Sequence, residues 1–161
     1  MKIRVGFGYD VHQLKEGKPF FLGGIQLEKA KKGAVGHSDA DVLIHAICDA
    51  LLGAAALNDI GYHFPDTDPE YKNIDSKILL KKTLDILAKK GYSIVNIDST
   101  ICLEKPKIKE FIPEMTTVLA EILKTNKENI SVKATTTEKL GFIGKEEGIA
   151  AHAVVLIQKL V

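Results

Sequence analysis

Through the first dozen positions apolar residues alternate with small or polar ones: Ile3, Val5 and Phe7 are separated by Arg4, Gly6 and Gly8. A period of two predicts a strand, here over residues 2–11, and it sets Asp10 and His12 on one common face. FFLGGIQLE reads as a short hairpin around its glycine pair. In SDADVLIHAICDALLGAAAL the positions Val42, Ala46, Leu52 and Ala56 keep a helical apolar pattern, which predicts a helix over 39–57 with Ser38 and Asp41 as its capping box. A second helix spans 76–90, with Gly91 just past its end where glycine closes helices. A third is expected over 107–124, and Pro113 makes it start late or bend. Strands are expected over 93–103, 130–136 and 148–159.

The strand IVNIDSTICL puts Val95, Ile97, Ile101 and Leu103 on one face and Asn96, Asp98 and Thr100 on the other, as in a sheet with helices on one side only. GIAAHAVVLI differs, because both of its faces are apolar. Either that strand meets another subunit or it is the central strand of a two-layer monomer. The elements add up to a single α+β domain, 1–161, a mixed sheet with helices packed on one face, of ferredoxin-like type.

Composition narrows the partners. The 161 residues suffice for one domain with a real core, and a net charge of +1 gives no electrostatic case for nucleic acid or an anionic membrane. No apolar run approaches the roughly 20 residues of a spanning helix, and MKIRVGFGYD enters a strand without a signal or transit pattern. A bacterial cytoplasmic protein acting on a small molecule is the expectation. Cys48 and Cys102 lack the spacing of a zinc or redox motif and are expected to be reduced packing residues.

Asp10, His12 and His45 carry the sharpest chemistry. An imidazole inside an apolar helical stripe needs a polar partner. Two histidines and a carboxylate make a three-ligand set that suits Zn²⁺ and leaves a position open for water or substrate. The plainer reading is a satisfied core histidine and a strand that merely ends in DVH.

Three further segments look chemical. In GHSDAD, His37 and Ser38 fall at the expected N-terminus of the His45 helix, where free N–H groups favour an anion such as phosphate; alternatively Ser38 only caps the helix and His37 is a solvated loop residue. NDIGYHFPDTDPEYKNIDS lacks apolar period and predicts a loop of more than a dozen residues, either a lid carrying Phe64 and Asp66 or plain surface, with His63 solvated. In KATTTEKLGFIGKEEG, hydroxyls and backbone amides can hold phosphate oxygens, with Glu138 as an oxygen ligand for Mg²⁺ or Mn²⁺. There the threonines can equally serve strand propensity, with Thr137 as a cap.

Taken in order, GYDVH, GHSDAD with its helical histidine, DIG followed by FPDTD, CLEKPKI and TTTEKLGFIG resemble the 2-C-methyl-D-erythritol 2,4-cyclodiphosphate synthase family over nearly the whole chain. The resemblance implies conversion of 4-diphosphocytidyl-2-C-methyl-D-erythritol 2-phosphate into the cyclic diphosphate with release of CMP, a step of the non-mevalonate route to isoprenoids. It implies Zn²⁺ on Asp10, His12 and His45, and a second divalent ion, Mg²⁺ or Mn²⁺, on Glu138. His37 and Thr136 match transition-state stabilisers, with Ser38 beside phosphate. Asp59, Ile60 and Gly61, and then Phe64, Pro65, Asp66, Thr67 and Asp68, match contacts to the methylerythritol part. Leu103, Glu104, Lys105, Pro106, Lys107, Ile108 and Lys109, with Thr135 and Thr137, match the cytidine pocket. The family forms a homotrimer whose sheets face the three-fold axis, with active sites between neighbouring chains.

Phe142, Lys145 and His152 match the region that lines the axial cavity or holds phosphate there. Lys145 stands where the family often has Arg, His152 where Glu is frequent, and Tyr9 where Phe is frequent. Two readings from other classes are a Zn²⁺-dependent phosphoesterase, which would release inorganic phosphate rather than CMP, and a non-catalytic trimeric binding module without turnover.

Overall fold

The first strand outruns its alternation. β1 covers Ile3–Glu16, so Asp10 and His12 lie within the strand and not at its end. Its apolar residues from Ile3 to Val11 face away from the helices: Val5 is 67 % and Phe7 62 % exposed. The helix side carries Gly6 and Gly8 instead, where a Cβ would run into the Ala50 and Ala46 carbonyls of α1 (Val42–Ala54). The glycines let that helix lie almost on the strand. Asp10 and His12 continue the glycine face, which is why they reach His45 on α1.

The computed structural model describes residues 2–160 as one mixed α+β domain. Among these residues the main sheet has the order β4-β1-β7-β5-β6. β7 (Gly148–Lys159) lies antiparallel between β1 and β5 (Tyr92–Cys102), and β6 (Ile130–Thr135) runs parallel to β5 at one edge. At the other edge β4 (Lys32–Val35), which the hydrophobic pattern does not announce, pairs with Gln13–Glu16. The connection from β1 to β5 is split by β7, as in ferredoxin-like folds, but the strands of the β5–helix–β6 unit are direct neighbours. The ferredoxin-like expectation thus fits one half of the sheet and not the other.

α1, α3 (Ser76–Lys89) and α4 (Ile112–Leu123) all pack on one face. Helix α4 starts late, with Pro113 in its first turn where a missing N–H costs nothing. Gly91 follows α3 at φ +74° as expected. β2 (Phe21–Leu22) and β3 (Ile25–Gln26) form the predicted hairpin, with Gly23 and Gly24 both at positive φ.

Ile149, Ala151, Ala153, Val155 and Ile157 of β7 are buried beneath the helices, together with Ile97 and Ile101 of β5. Val95 does not join them. It is the extra residue of a bulge between Ile94 and Asn96, and Ile94 packs against the core in its stead. Beyond the sheet, Ile3, Val5, Phe7, Tyr9 and Val11 of β1 and Val154 of β7 remain exposed on the helix-free face.

The candidate metal site and its cavity

Helix α1 is buried on nearly all sides, and His45 is its one imidazole. His45 Nδ1 lies 3.0 Å from Asp10 Oδ2 and 3.1 Å from His12 Nε2, and His12 Nε2 is 3.0 Å from the same Asp10 oxygen. Among the described residues these three form the one cluster of donor side chains with metal-binding spacing. Donors about 2.0–2.1 Å from a tetrahedral Zn²⁺ stand roughly 3.3 Å apart, so the triangle is only slightly tight for that ion. Two ring nitrogens and a carboxylate oxygen converge on one point, and that donor set fits a divalent metal.

The electrostatics follow from this crowding. Burial pushes the Asp10 carboxyl up, but its hydrogen bonds and attraction to His12 and His45 prevail and hold it well below the usual carboxylate range. Burial pulls His45 down, yet the hydrogen bond and charge of Asp10, with Asp41 and Asp39 nearby, carry it above the ordinary histidine value.

The start of α1 differs from expectation. Asp41, fully buried, is the N-cap, and its carboxylate accepts from the N–H groups of Ile44, Gly23 and Gly24. No Ser38–Asp41 capping box forms, because Ser38 precedes the first helical residue by four positions. The helix terminus is also no anion site, since Asp41 already occupies its free amides. Ser38 Oγ instead accepts from Ala40 N and lies 3.0 Å from His45 Nε2.

A cavity of about 400 Å³ opens beside the triangle. It gathers His12, His37, Ser38 and His45 with Ile60, Gly61, Phe64, Pro65 and Asp66, residues the sequence marks in three separate motifs. Asp59 stays outside and caps α2 (Ile60–His63) by accepting from Tyr62 N. The expected long loop therefore holds α2 and a 3₁₀ turn at Pro69–Tyr71, whose cap is Asp68; aspartates three or two residues ahead of a free N–H make both turns possible. Thr67 does not line the cavity either. His63 is not simply solvated, because its Nε2 donates to the Leu57 carbonyl at 2.7 Å. Phe64 meets Tyr71 edge to face at 5.5 Å, and Asp49, one turn along α1 from His45, accepts from Ile60 N at 2.8 Å. Tyr71, Ile74 and Leu79 complete the lining; as ordinary apolar or aromatic residues they carried no sequence signal.

The remaining candidates lie elsewhere in the chain. Val11, Ala150, Cys102 and Thr135 stand in one row across β1, β7, β5 and β6, so Thr135 is three strands from the metal triangle, about 14 Å at normal strand spacing. Next to it the segments 103–109 and 135–138 do meet. Leu103 N donates to Thr135 O, Thr137 N to Glu104 Oε2, and Thr136 Oγ1 to Glu138 Oε1 at 3.2 Å. Ile108 is buried, while Lys105, Lys107 and Lys109 are exposed and the Lys105–Pro106 peptide is cis. Thr137 closes the turn into Leu140. Phe142 packs against Gly148 near His12 and Val11. Lys145 follows α5 (Gly141–Gly144), and His152 lies on the helix-free face, 5.0 Å from the Tyr9 ring.

The model of the YgbB family matches residues 3–158. The chain belongs to that family. It is 67 % identical over 160 residues to the 2-C-methyl-D-erythritol 2,4-cyclodiphosphate synthase of Bacteroides fragilis, covering 99 % of this chain and 100 % of that protein. Among solved structures, the bifunctional IspDF of Campylobacter jejuni superposes with a TM-score of 0.94 at 43 % identity, covering 99 % of this chain, which spans 43 % of that longer one. The CDP complex of IspF from Plasmodium falciparum superposes at 0.86 and 34 % identity, covering 99 % of this chain and 97 % of that one. No helix among the described residues is long and apolar enough to cross a membrane.

Proposed function

We propose that this chain converts 4-diphosphocytidyl-2-C-methyl-D-erythritol 2-phosphate into 2-C-methyl-D-erythritol 2,4-cyclodiphosphate and CMP, in the bacterial cytoplasm, as a homotrimer. The observation that carries the reading is the Asp10–His12–His45 triangle at the wall of a cavity that also holds His37, Ser38 and the 60–66 segment, in a member of the YgbB family. CDP in a relative's structure supports a cytidine-bearing substrate.

In this reaction an oxygen of the 2-phosphate attacks the β-phosphorus, the bond from that phosphorus to the CMP oxygen breaks, and CMP leaves with the electron pair. The nucleophile is already ionised, so no protein base or covalent intermediate is needed. The work of the chain is to hold the two phosphates in line and to neutralise charge on the phosphoryl oxygens. Asp10, His12 and His45 would hold Zn²⁺, and bound there the ion supplies a Lewis acid that polarises and orients a phosphate oxygen. Glu138, with Thr136 beside it, offers one carboxylate to Mg²⁺ or Mn²⁺ that arrives with the diphosphate, the usual way such ions are held. His37 and Ser38 donate to phosphate oxygens from the cavity wall. Ile60, Gly61 and Phe64 to Asp66 enclose the methylerythritol part, with Asp59 fixing the turn beneath them and Asp68 the turn that follows. Leu103 to Lys109, together with Thr135 and Thr137, take the cytidine.

The separation of Glu138 from the metal triangle supports a site completed by a neighbouring chain. The bare apolar face of β1 and β7 supports a three-fold contact there, and Phe142, Lys145 and His152 would line its axis. Incubation of the purified protein with the cytidylylated substrate, Zn²⁺ and Mg²⁺ tests the proposal by chromatography. CMP and the cyclic diphosphate in equal amounts are expected. Inorganic phosphate as the product would make the protein a phosphoesterase, and bound substrate without turnover would make it a binding module.

A further inference from the structure

His45 uses one ring nitrogen toward Asp10 and His12, and the other, Nε2, lies 3.0 Å from two hydroxyls at once, Ser38 Oγ and Ser76 Oγ. A single N–H serves one of them. Ser76 is fully buried at the first position of α3, and its hydroxyl donates to Asp39 Oδ1 while its backbone N–H donates to Asp39 Oδ2 at 3.0 Å. With its proton committed to a carboxylate, Ser76 faces His45 only as an acceptor. Ser38 differs: it accepts from Ala40 N and lines the cavity, and among the described residues its proton, once His45 Nε2 carries its own, has no acceptor beyond Ser76 Oγ at a weak 3.5 Å.

The backbone keeps this arrangement in register, since Asp39 N donates to Ile74 O and Asn73 N to His37 O. Two segments far apart in sequence are thereby laced together around the imidazole.

We infer that Asp39 and Ser76 are positioning residues for the metal site, a relay in which His45 Nε2–H donates to Ser76 and Ser76 donates to Asp39, so that Nδ1 presents its lone pair to the ion. Ser38 is then free to donate its hydroxyl proton to a substrate phosphate. The inference rests on the metal site of the proposed function, not on the reaction assigned to it. A histidine ligand whose remote N–H is held by an acceptor keeps its tautomer and ring orientation, and loss of such a partner typically weakens metal binding about 10–100-fold.

The test is Co²⁺ and Zn²⁺ binding to metal-stripped full-length protein. Co²⁺ absorption reports ligand geometry and a competing chelator reports Zn²⁺ affinity, with no substrate present. Ser76→Ala and Asp39→Asn should each weaken Zn²⁺ by about 10–100-fold and alter the Co²⁺ bands. Ser38→Ala should stay within about threefold of the unaltered protein with unchanged bands, and should raise KM. Thr83→Val, which removes another buried α3 hydroxyl, one that is not bonded to His45, Ser38 or Asp39, controls for repacking and should bind as the unaltered chain does. Should Ser76→Ala not fold, Asp39→Asn decides. Unchanged affinity and bands in both variants, or an equal loss in Ser38→Ala, would overturn the relay while leaving the proposed reaction standing. Absence of metal binding in the unaltered chain would overturn the site itself.

Discussion

At the scale of single residues, the metal triangle makes stability respond to pH in opposite senses with and without the ion. In chelated protein the Asp10 carboxyl lies below its usual range, so its contribution is complete above about pH 4 and fades as pH falls through the lowered value. His45 is raised, so its contribution is complete below about pH 6.5 and is lost as pH rises through the raised value. His45 is faced by Asp10 and His12 from β1, by Asp39 and Asp41 ahead of α1, and by Asp49 on its own helix. The melting temperature of the metal-free chain should therefore fall as pH rises above about 6.5, and His45→Gln should flatten that fall. Saturating Zn²⁺ should reverse the slope, because the ion displaces protons from its ligands. His45→Ala should abolish both bound metal, by elemental analysis, and turnover; full zinc occupancy in that variant would refute the assignment. Residue type and spacing sufficed to nominate Asp10, His12 and His45. They could not nominate Ser76 or Asp39, since a serine at a helix start and one aspartate among several have value only through a contact across 37 positions.

At the scale of elements, the close seating of α1 on β1 sets the distance from His45 to the strand ligands. Gly8 makes that seating possible, and its missing Cβ faces helix backbone, which cannot yield as a flexible side chain can. Gly8→Ala should cost about 3 kcal/mol, the upper part of the range for overpacking. Denaturant unfolding measures that loss, and Zn²⁺ affinity should fall with it as the helix lifts; an unperturbed affinity would mean that this contact does not set the site. The continuous apolar run of β7, the glycine just past α3 and the glycine pair of the hairpin made those elements legible almost to the residue. The face of β1 was not legible, because its apolar alternation marks the uncovered side while glycines mark the core. β4 escaped notice because a four-residue edge strand, KGAV, carries too few positions to show a period. The bulge at Val95 was hidden likewise, since it is defined by pairing with β7 and not by anything in its own segment.

At the scale of the whole molecule, a face built from Ile3, Val5, Phe7, Tyr9, Val11 and Val154 is a larger apolar surface than a solitary chain leaves to water without cause. Phe7→Glu places a charge in that surface and should yield monomers by analytical ultracentrifugation. Zn²⁺ affinity per chain should hold, since the metal triangle belongs to one chain, while turnover should collapse. Retained trimers with full activity would contradict the three-fold contact. The two-faced apolar pattern of β7 left both a subunit contact and a central strand open in the sequence; β7 is a central strand, between β1 and β5, and the proposed contact rests on the helix-free face itself.

The central claim is that one chain's metal triangle acts with another chain's Thr135–Glu138 segment, and mixing two inactive variants tests it most directly. His45→Ala chains lack the metal ligand and Glu138→Ala chains lack the second carboxylate. After subunit exchange in equal amounts, confirmed by native mass spectrometry, random head-to-tail pairing leaves about a quarter of the interfaces with both halves intact. Release of CMP at about one quarter of the unaltered rate is the predicted result. No CMP from fully exchanged mixtures would contradict the account, because it would mean that each site is built within a single chain.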